Sequence, residues 1–247
     1  MRQPHYTIDI NADLGEGTGF DIQLMPLISS CSIACGGHYG TEKTMRTTIQ
    51  LAKKHGVKVG AHPSYQDRLN FGREVIEMTK EGLKKTIVDQ LKTFHKICAA
   101  EEITVHHIKL HGALYNYAGI DPTTADAVLN AIEETELQAK LYVQHGSVLH
   151  KKAANVLPLL FEAFIDRAYQ ADGRLVPRNY PQAIIETAEK AWKQLYGMVS
   201  RGVVGCINGE EIPLVASTFC IHGDHPNSVP ILNYINQQCK SHFIQVL

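Results

Sequence analysis

An α/β barrel of seven or eight parallel strands is the fold class this sequence predicts, and three observations predict it. β-Branched apolar runs alternate with segments of helical apolar periodicity, the pattern of a parallel sheet covered by helices. Each run ends in small residues beside His, Asp, Asn, Arg or Lys, the form of a βα loop that carries chemistry at the mouth of a barrel. A length of 247 residues is ordinary for a single-domain barrel, so residues 1–247 are expected to form one domain. No G-x-G-x-x-G follows the first strand and no Walker A motif occurs, which removes support for dinucleotide-binding and P-loop folds.

The elements follow in order. Tyr6–Ile10 alternates polar and apolar residues and reads as the first strand, ending at Asn11, with Asp13, Gly15 and Glu16 in its exit loop. A short helix is expected over Asp21–Ser29, limited by Pro26, and a small-residue strand over Ser30–Ala34 leads into Cys35-Gly-Gly-His38. Thr41 reads as the N-cap of a helix ending near His55-Gly56. Val57–Ala61 is the third strand, with exit His62-Pro63-Ser64-Tyr65. A loop over 66–76 carries Arg73, and a long helix from Thr79 to Ala100 places Leu83, Ile87, Leu91, Phe94 and Ile97 on one face.

The central stretch is Ile103–Asn116: a strand through Ile108, a polar turn Lys109-Leu-His-Gly112, then a helical start. Helices are expected over Pro122–Glu134 and Ser147–Asn155, and strands over Ala139–Val143 and Leu159–Ile165. The irregular segment Ala168–Pro181 has the length of a functional loop. A helix over Ala183–Ser200, a hairpin around Asn208-Gly209, a strand over Val215–Ile221 and a last helix over Ser228–Lys240 complete the chain.

Composition narrows the partners. A net charge of -1 gives no electrostatic reason for a nucleic-acid or anionic-membrane partner. No stretch approaches the length of a membrane span, the start lacks a signal-peptide run, and the cysteines form no CxxC pair, so a reduced, cytoplasmic protein is expected. A homo-oligomer is compatible with all of this.

The strand exits supply the candidate site. His62, His111 and His222 would share one rim, whereas His5, His55, His95, His145, His150 and His242 read as ordinary surface or structural histidines. Asp13, His38, His62 and His111 are candidates for proton transfer. Imidazole with carboxylate also suits a divalent metal, with Asp13, His62 and His111 as ligands. Lys109 could stabilise an oxyanion. Arg73, Arg174 and Arg178 could hold a carboxylate or phosphate, and Asp166-Arg167 could be an ion pair at the sixth strand's exit. Asn11, Glu16, His222 and Asp224 complete the expected binding set. Cys35 reads as a packing residue.

Taken together, IDINADLGEG, SIACGGH, GAHPSYQDRLNFGR, KLHGALYN, FIDRAYQADGRLVPR and IHGD resemble the LamB/YcsF family over nearly the whole chain, from Asp9 to Asp224. The resemblance implies an irregular seven-stranded barrel like that of the glycoside hydrolase/deacetylase superfamily. It also implies ATP-dependent opening of the 5-oxo-L-proline lactam to L-glutamate, performed with PxpB and PxpC partner subunits. The chain departs from the family at Ser32, where relatives carry Asn, at Thr41, where they carry Asp, and at Leu110, where they carry Pro. The competing classes are a stand-alone metal-dependent deacetylase and a non-catalytic protein that only binds the ligand for its complex.

Overall fold

Residues 6–247 are described in a computed structural model; His5 lies outside them. In chain order the strands are β1 (Tyr6–Leu14), β2 (Ser30–Ala34), β3 (Lys58–His62), β4 (His107–Ile108), β5 (Lys140–Val143), β6 (Leu159–Phe164), β7 (Val203–Gly205), β8 (Glu211–Pro213), β9 (Thr218–His222) and β10 (Ile244–Val246). β1 to β6 are parallel neighbours in sequence order. β9 pairs with both β6 and β1, closing a seven-stranded parallel barrel. β7 and β8 form the expected hairpin outside it, antiparallel. Past the expected last helix the chain forms one more strand: β10 pairs with residues 6–8 of β1, below the stretch where β9 takes over.

The helices are α1 (Asp21–Leu24), α2 (Glu42–His55), α3 (Lys80–Ala100), α4 (Gly112–Ala118), α5 (Pro122–Glu134), α6 (Val148–Ala153), α7 (Ala188–Arg201) and α8 (Ser228–Ser241). Local chemistry sets their starts. The Thr41, Thr79, Asp121, Ser147 and Thr187 side chains each accept from the backbone N–H three residues on, satisfying an otherwise orphaned donor. The helix expected over Asp21–Ser29 is shorter, because Met25-Pro26-Leu27 tightens into a 3-10 turn. The helix expected from Ala183 begins at Ala188. Residues before the Thr187 cap are extended, and Ile184 bridges to Arg167.

Both faces of the barrel wall are buried, with apolar residues outward and polar ones inward. Ile8, Ile10, Ala12 and Leu14 of β1 pack in the hydrophobic core, while Asp9, Asn11 and Asp13 alternate with them. The interior polar residues satisfy one another in layers. At the bottom, Asp9 Oδ2 accepts from the hydroxyls of Ser30 and Thr218, each at 2.7 Å. One layer up, Asn11 Nδ2 donates to Glu162 Oε1 at 3.0 Å and to Thr218 Oγ1 at 2.7 Å. His107, flat against the Tyr142 ring, lies 3.1 Å from Ser32 Oγ. Its ring fits because residue 60 has no side chain: a Cβ there would overlap the His107 imidazole. Burial, then the neighbouring His106, pushes the His107 pKa well below its usual value, so the ring is held neutral.

Candidate active site at the barrel mouth

The first strand runs further than its sequence suggests. Asn11 and Asp13 lie within β1, and Leu14 is its last residue. Polar residues that look like a turn are instead paired inside the barrel. Asp13 Oδ1 lies 2.8 Å from Lys109 Nζ, which also reaches Glu162 Oε1 at 2.9 Å, Asn11 Oδ1 at 3.2 Å and Cys220 Sγ at 3.0 Å. The ammonium is buried and its donors are committed to these acceptors. Lys109 is thus the cation that the Asp13 and Glu162 carboxylates share. Burial would raise the Asp13 carboxyl, but His62 and Lys109 carry it well below the usual range. Burial would lower the Lys109 ammonium, but Asp13, Cys220 and Glu162 hold it well above its usual value.

Beside this pair, four buried side chains converge. His62 ends β3, His111 precedes α4, His38 comes from the loop after β2 and Glu16 from the loop after β1. Their facing ligand-type atoms all lie within 4.8 Å of one another. His38 Nε2 is 2.9 Å and His111 Nδ1 3.3 Å from Glu16 Oε1, and His62 Nε2 is 3.0 Å from His111 Nδ1 and 3.4 Å from Asp13 Oδ2. Burial and then His111 push the His38 ring down to about 4, and burial lowers His111. His62 moves the other way, because Asp13 outweighs its burial. Burial would raise Glu16, but contacts with His111 and His38 draw it well below the carboxylate range.

The loop after β3 covers the rings. Gly72 adopts φ +64°, and a Cβ on it would lie 2.9 Å from both His111 and His38, so only glycine allows this close approach. Phe71 before it also has positive φ, an uncommon conformation for a bulky residue. It sets its edge near His38 and directs its carbonyl to His111 Nε2 at 2.8 Å.

The other expected binding residues divide into four groups. Asp166 accepts from the His222 backbone N–H at 2.9 Å and faces His222 Nδ1 at 2.9 Å, so the Asp166–Arg167 pair expected from their adjacency gives way to Asp166–His222. Burial would raise the Asp166 carboxyl, but His222 carries it far down. Arg167 instead donates to the carbonyls of Val176 and Ala183, and burial and Arg178 lower its pKa to about 10. At the rim, Asp224 pairs with Arg73 and stands 3.9 Å from Arg178. Arg174, on the outer loop, is exposed and paired at 2.6 Å with Asp172 of the same loop. Arg73, Arg167, Arg174 and Arg178 all border a cleft of about 1050 Å³ whose floor includes Asp13, His62 and His111.

Glu162 and His107 are functional-site neighbours that the sequence reading missed. Each is a polar residue at an inward position of its strand: 162 shares parity with 164, and 107 with 109 and 111. The departures from the family pattern find structural places. Thr41 caps α2 at the surface, the task an Asp at that position performs equally well, and Ser32 pairs with His107. Cys35 is a buried packing residue whose Sγ accepts from the His62 backbone N–H; burial pushes its thiol far up.

Comparison with known proteins agrees with this architecture. The carbohydrate esterase of family 4 from Streptomyces lividans superimposes with a TM-score of 0.53 at 10% identity, covering 99% of this chain and 92% of that one, a likeness of fold alone. The lactam utilization protein from Thermus thermophilus superimposes with a TM-score of 0.90 at 34% identity, covering 97% of this chain and 98% of that one. The A-subunit of 5-oxoprolinase from Symbiobacterium thermophilum is 39% identical over 252 residues, 100% of this chain and 97% of that protein. The model of the LamB/YcsF family matches residues 8–247, and the chain belongs to that family.

Proposed function

We propose that this chain is the lactam-opening component of an ATP-dependent 5-oxoprolinase and works in a complex with PxpB and PxpC subunits. The observation that carries the reading is the pairing of an ionised, fixed Asp13 at the cleft floor with arginines at its rim. 5-Oxo-L-proline presents a lactam at one end and a carboxylate at the other. Arg178, only 3.9 Å from the carboxylate it shares with Arg73, is the rim group placed to exchange Asp224 for a substrate carboxylate.

The chemistry explains the need for ATP. A lactam carbonyl is resonance-stabilised and resists water. Phosphorylation of its oxygen makes the ring carbon strongly electrophilic, so a weak base suffices for the attack. Asp13 is such a base: its low pKa makes it a poor proton acceptor toward an unactivated amide. The cleft exceeds the volume a single five-membered lactam fills, leaving room for the phosphoryl donor or a partner's loop.

The test is glutamate release from 5-oxoproline by the purified chain, with and without ATP, alone and with the two partner subunits. ATP-dependent release by the complex, lost with Asp13→Asn, is the expected result. Unchanged activity of Asp13→Asn in the complex would reduce the chain to a ligand-binding role. Release of acetate from acetylated sugars without ATP would favour the deacetylase class.

A further inference from the structure

We infer that Glu16, His38, His62 and His111 form a binding centre for one divalent cation of the zinc type. The argument starts from what holds the outer edge of each ring. His62 Nδ1 lies 2.8 Å from the Lys109 carbonyl and His111 Nε2 2.8 Å from the Phe71 carbonyl. A carbonyl only accepts, so both outer nitrogens carry hydrogen. His38 Nδ1 lies 3.0 Å from Ser64 Oγ, whose own hydroxyl donates to the Tyr65 carbonyl at 2.8 Å, so this nitrogen also donates.

In the neutral rings, the inner nitrogens of all three then present lone pairs toward one another and toward the Glu16 carboxylate. His62 and His111 do so at 3.0 Å, and His38 and Glu16 at 2.9 Å. Lone pairs held this close require positive charge between them. One proton relieves one pair; a cation serves all four atoms at once.

The spacing fits. Zinc bonds of about 2.0–2.1 Å in a tetrahedron set neighbouring ligand atoms roughly 3.3 Å apart. The separations among Glu16, His62 and His111 run from 3.0 to 3.8 Å, and with His38 all four ligand atoms lie within 4.8 Å of one another. Carbonyls that fix the tautomer from behind are the usual outer support of metal-bound histidine. The ligand set of three imidazoles and one carboxylate suits zinc or manganese over magnesium or calcium. Asp13, 3.4 Å from His62 Nε2, stands beside the centre and keeps Lys109 as its partner.

This inference stands apart from the lactam reading, because metal content is measured without turnover. The full-length chain is stripped with a chelator, dialysed against zinc, and assayed for bound metal by mass spectrometry. One equivalent is expected for the wild type and for His150→Gln, a surface control, with loss in Glu16→Gln and His38→Gln. Cobalt(II) loaded into the wild type should give the intense visible bands of tetrahedral coordination, a readout independent of whether the variants fold. Equal zinc in wild type and both site variants would overturn the proposal. So would an imidazolium at His62 seen by ¹⁵N NMR in excess zinc, which places a proton where the cation belongs.

Discussion

Replacing Lys109 by Met tests how the polar barrel interior is held together. The substitution keeps an unbranched side chain, one atom shorter, and removes one charge. It leaves the buried carboxylates of Asp13 and Glu162, which stand 2.8 and 2.9 Å from the ammonium, without their shared cation. Breaking a buried ion pair from one side costs about 3–5 kcal/mol, most of it the penalty of the stranded charge. A second consequence carries a sign. Without Lys109, burial is opposed chiefly by His62 and the Asp13 carboxyl is pushed up from its depressed wild-type position. A raised pKa favours folding at low pH and loses that stabilisation as pH rises. The deficit relative to wild type should therefore be full at pH 8 and shrink at pH 5. Urea unfolding at both values measures it. Addition of Asp13→Asn and Glu162→Gln should recover most of the loss. A deficit below roughly 1 kcal/mol at pH 8, or one that is the same at pH 5, would refute the reasoning, since a stranded buried carboxylate must take up a proton.

Three further outcomes are expected. Asp166 has a folded pKa below its unfolded value near 4, so its stabilisation is complete above that pH and lost as pH falls below it. Asp166→Asn should lower the urea midpoint at pH 7 and flatten its decline in acid; an unchanged acid slope would remove Asp166–His222 as the cause. Thr41→Ala should cost about 1 kcal/mol through the lost cap while Thr41→Asp is neutral, read by thermal unfolding. Gly60→Ala should destabilise by about 1–3 kcal/mol, because its methyl overlaps the His107 ring; a soluble variant with wild-type Tm would show that the ring moves freely.

Much of this architecture was legible from local chemistry. Thr41, Thr79 and Pro122 mark helix starts because caps and first-turn prolines act within one turn of chain. The histidines and carboxylates at strand exits meet at one mouth because parallel strands share a direction. What escaped the sequence depends on partners far along the chain. Asn11 and Asp13 carry turn chemistry and yet lie in a strand, since Glu162 and Lys109 wait across the barrel. Adjacency assigns Arg167 to Asp166, but the chain at 176 and 183 folds over it and takes its donors. The extended stretch before α7 looked helical by its apolar residues; the Thr187 cap was the overlooked signal.

The way β1 changes partner along its length bears on when this protein can fold during synthesis. Its lower residues pair with β10 and its upper residues with β9, both near the end of the chain. Until Thr218–His222 has left the ribosome, the emerging sheet carries two raw edges, and the carboxylates on β1 lack the strand beside them. Closure is thus a late event: the Asp9–Thr218 bond alone spans 209 residues of sequence. A nascent chain that stalls before that point exposes strand edges suited to pairing with a neighbour, the ordinary route to aggregation. Chaperone demand should accordingly fall not gradually with chain length but abruptly, once the seventh barrel strand is free to bridge the first and the sixth.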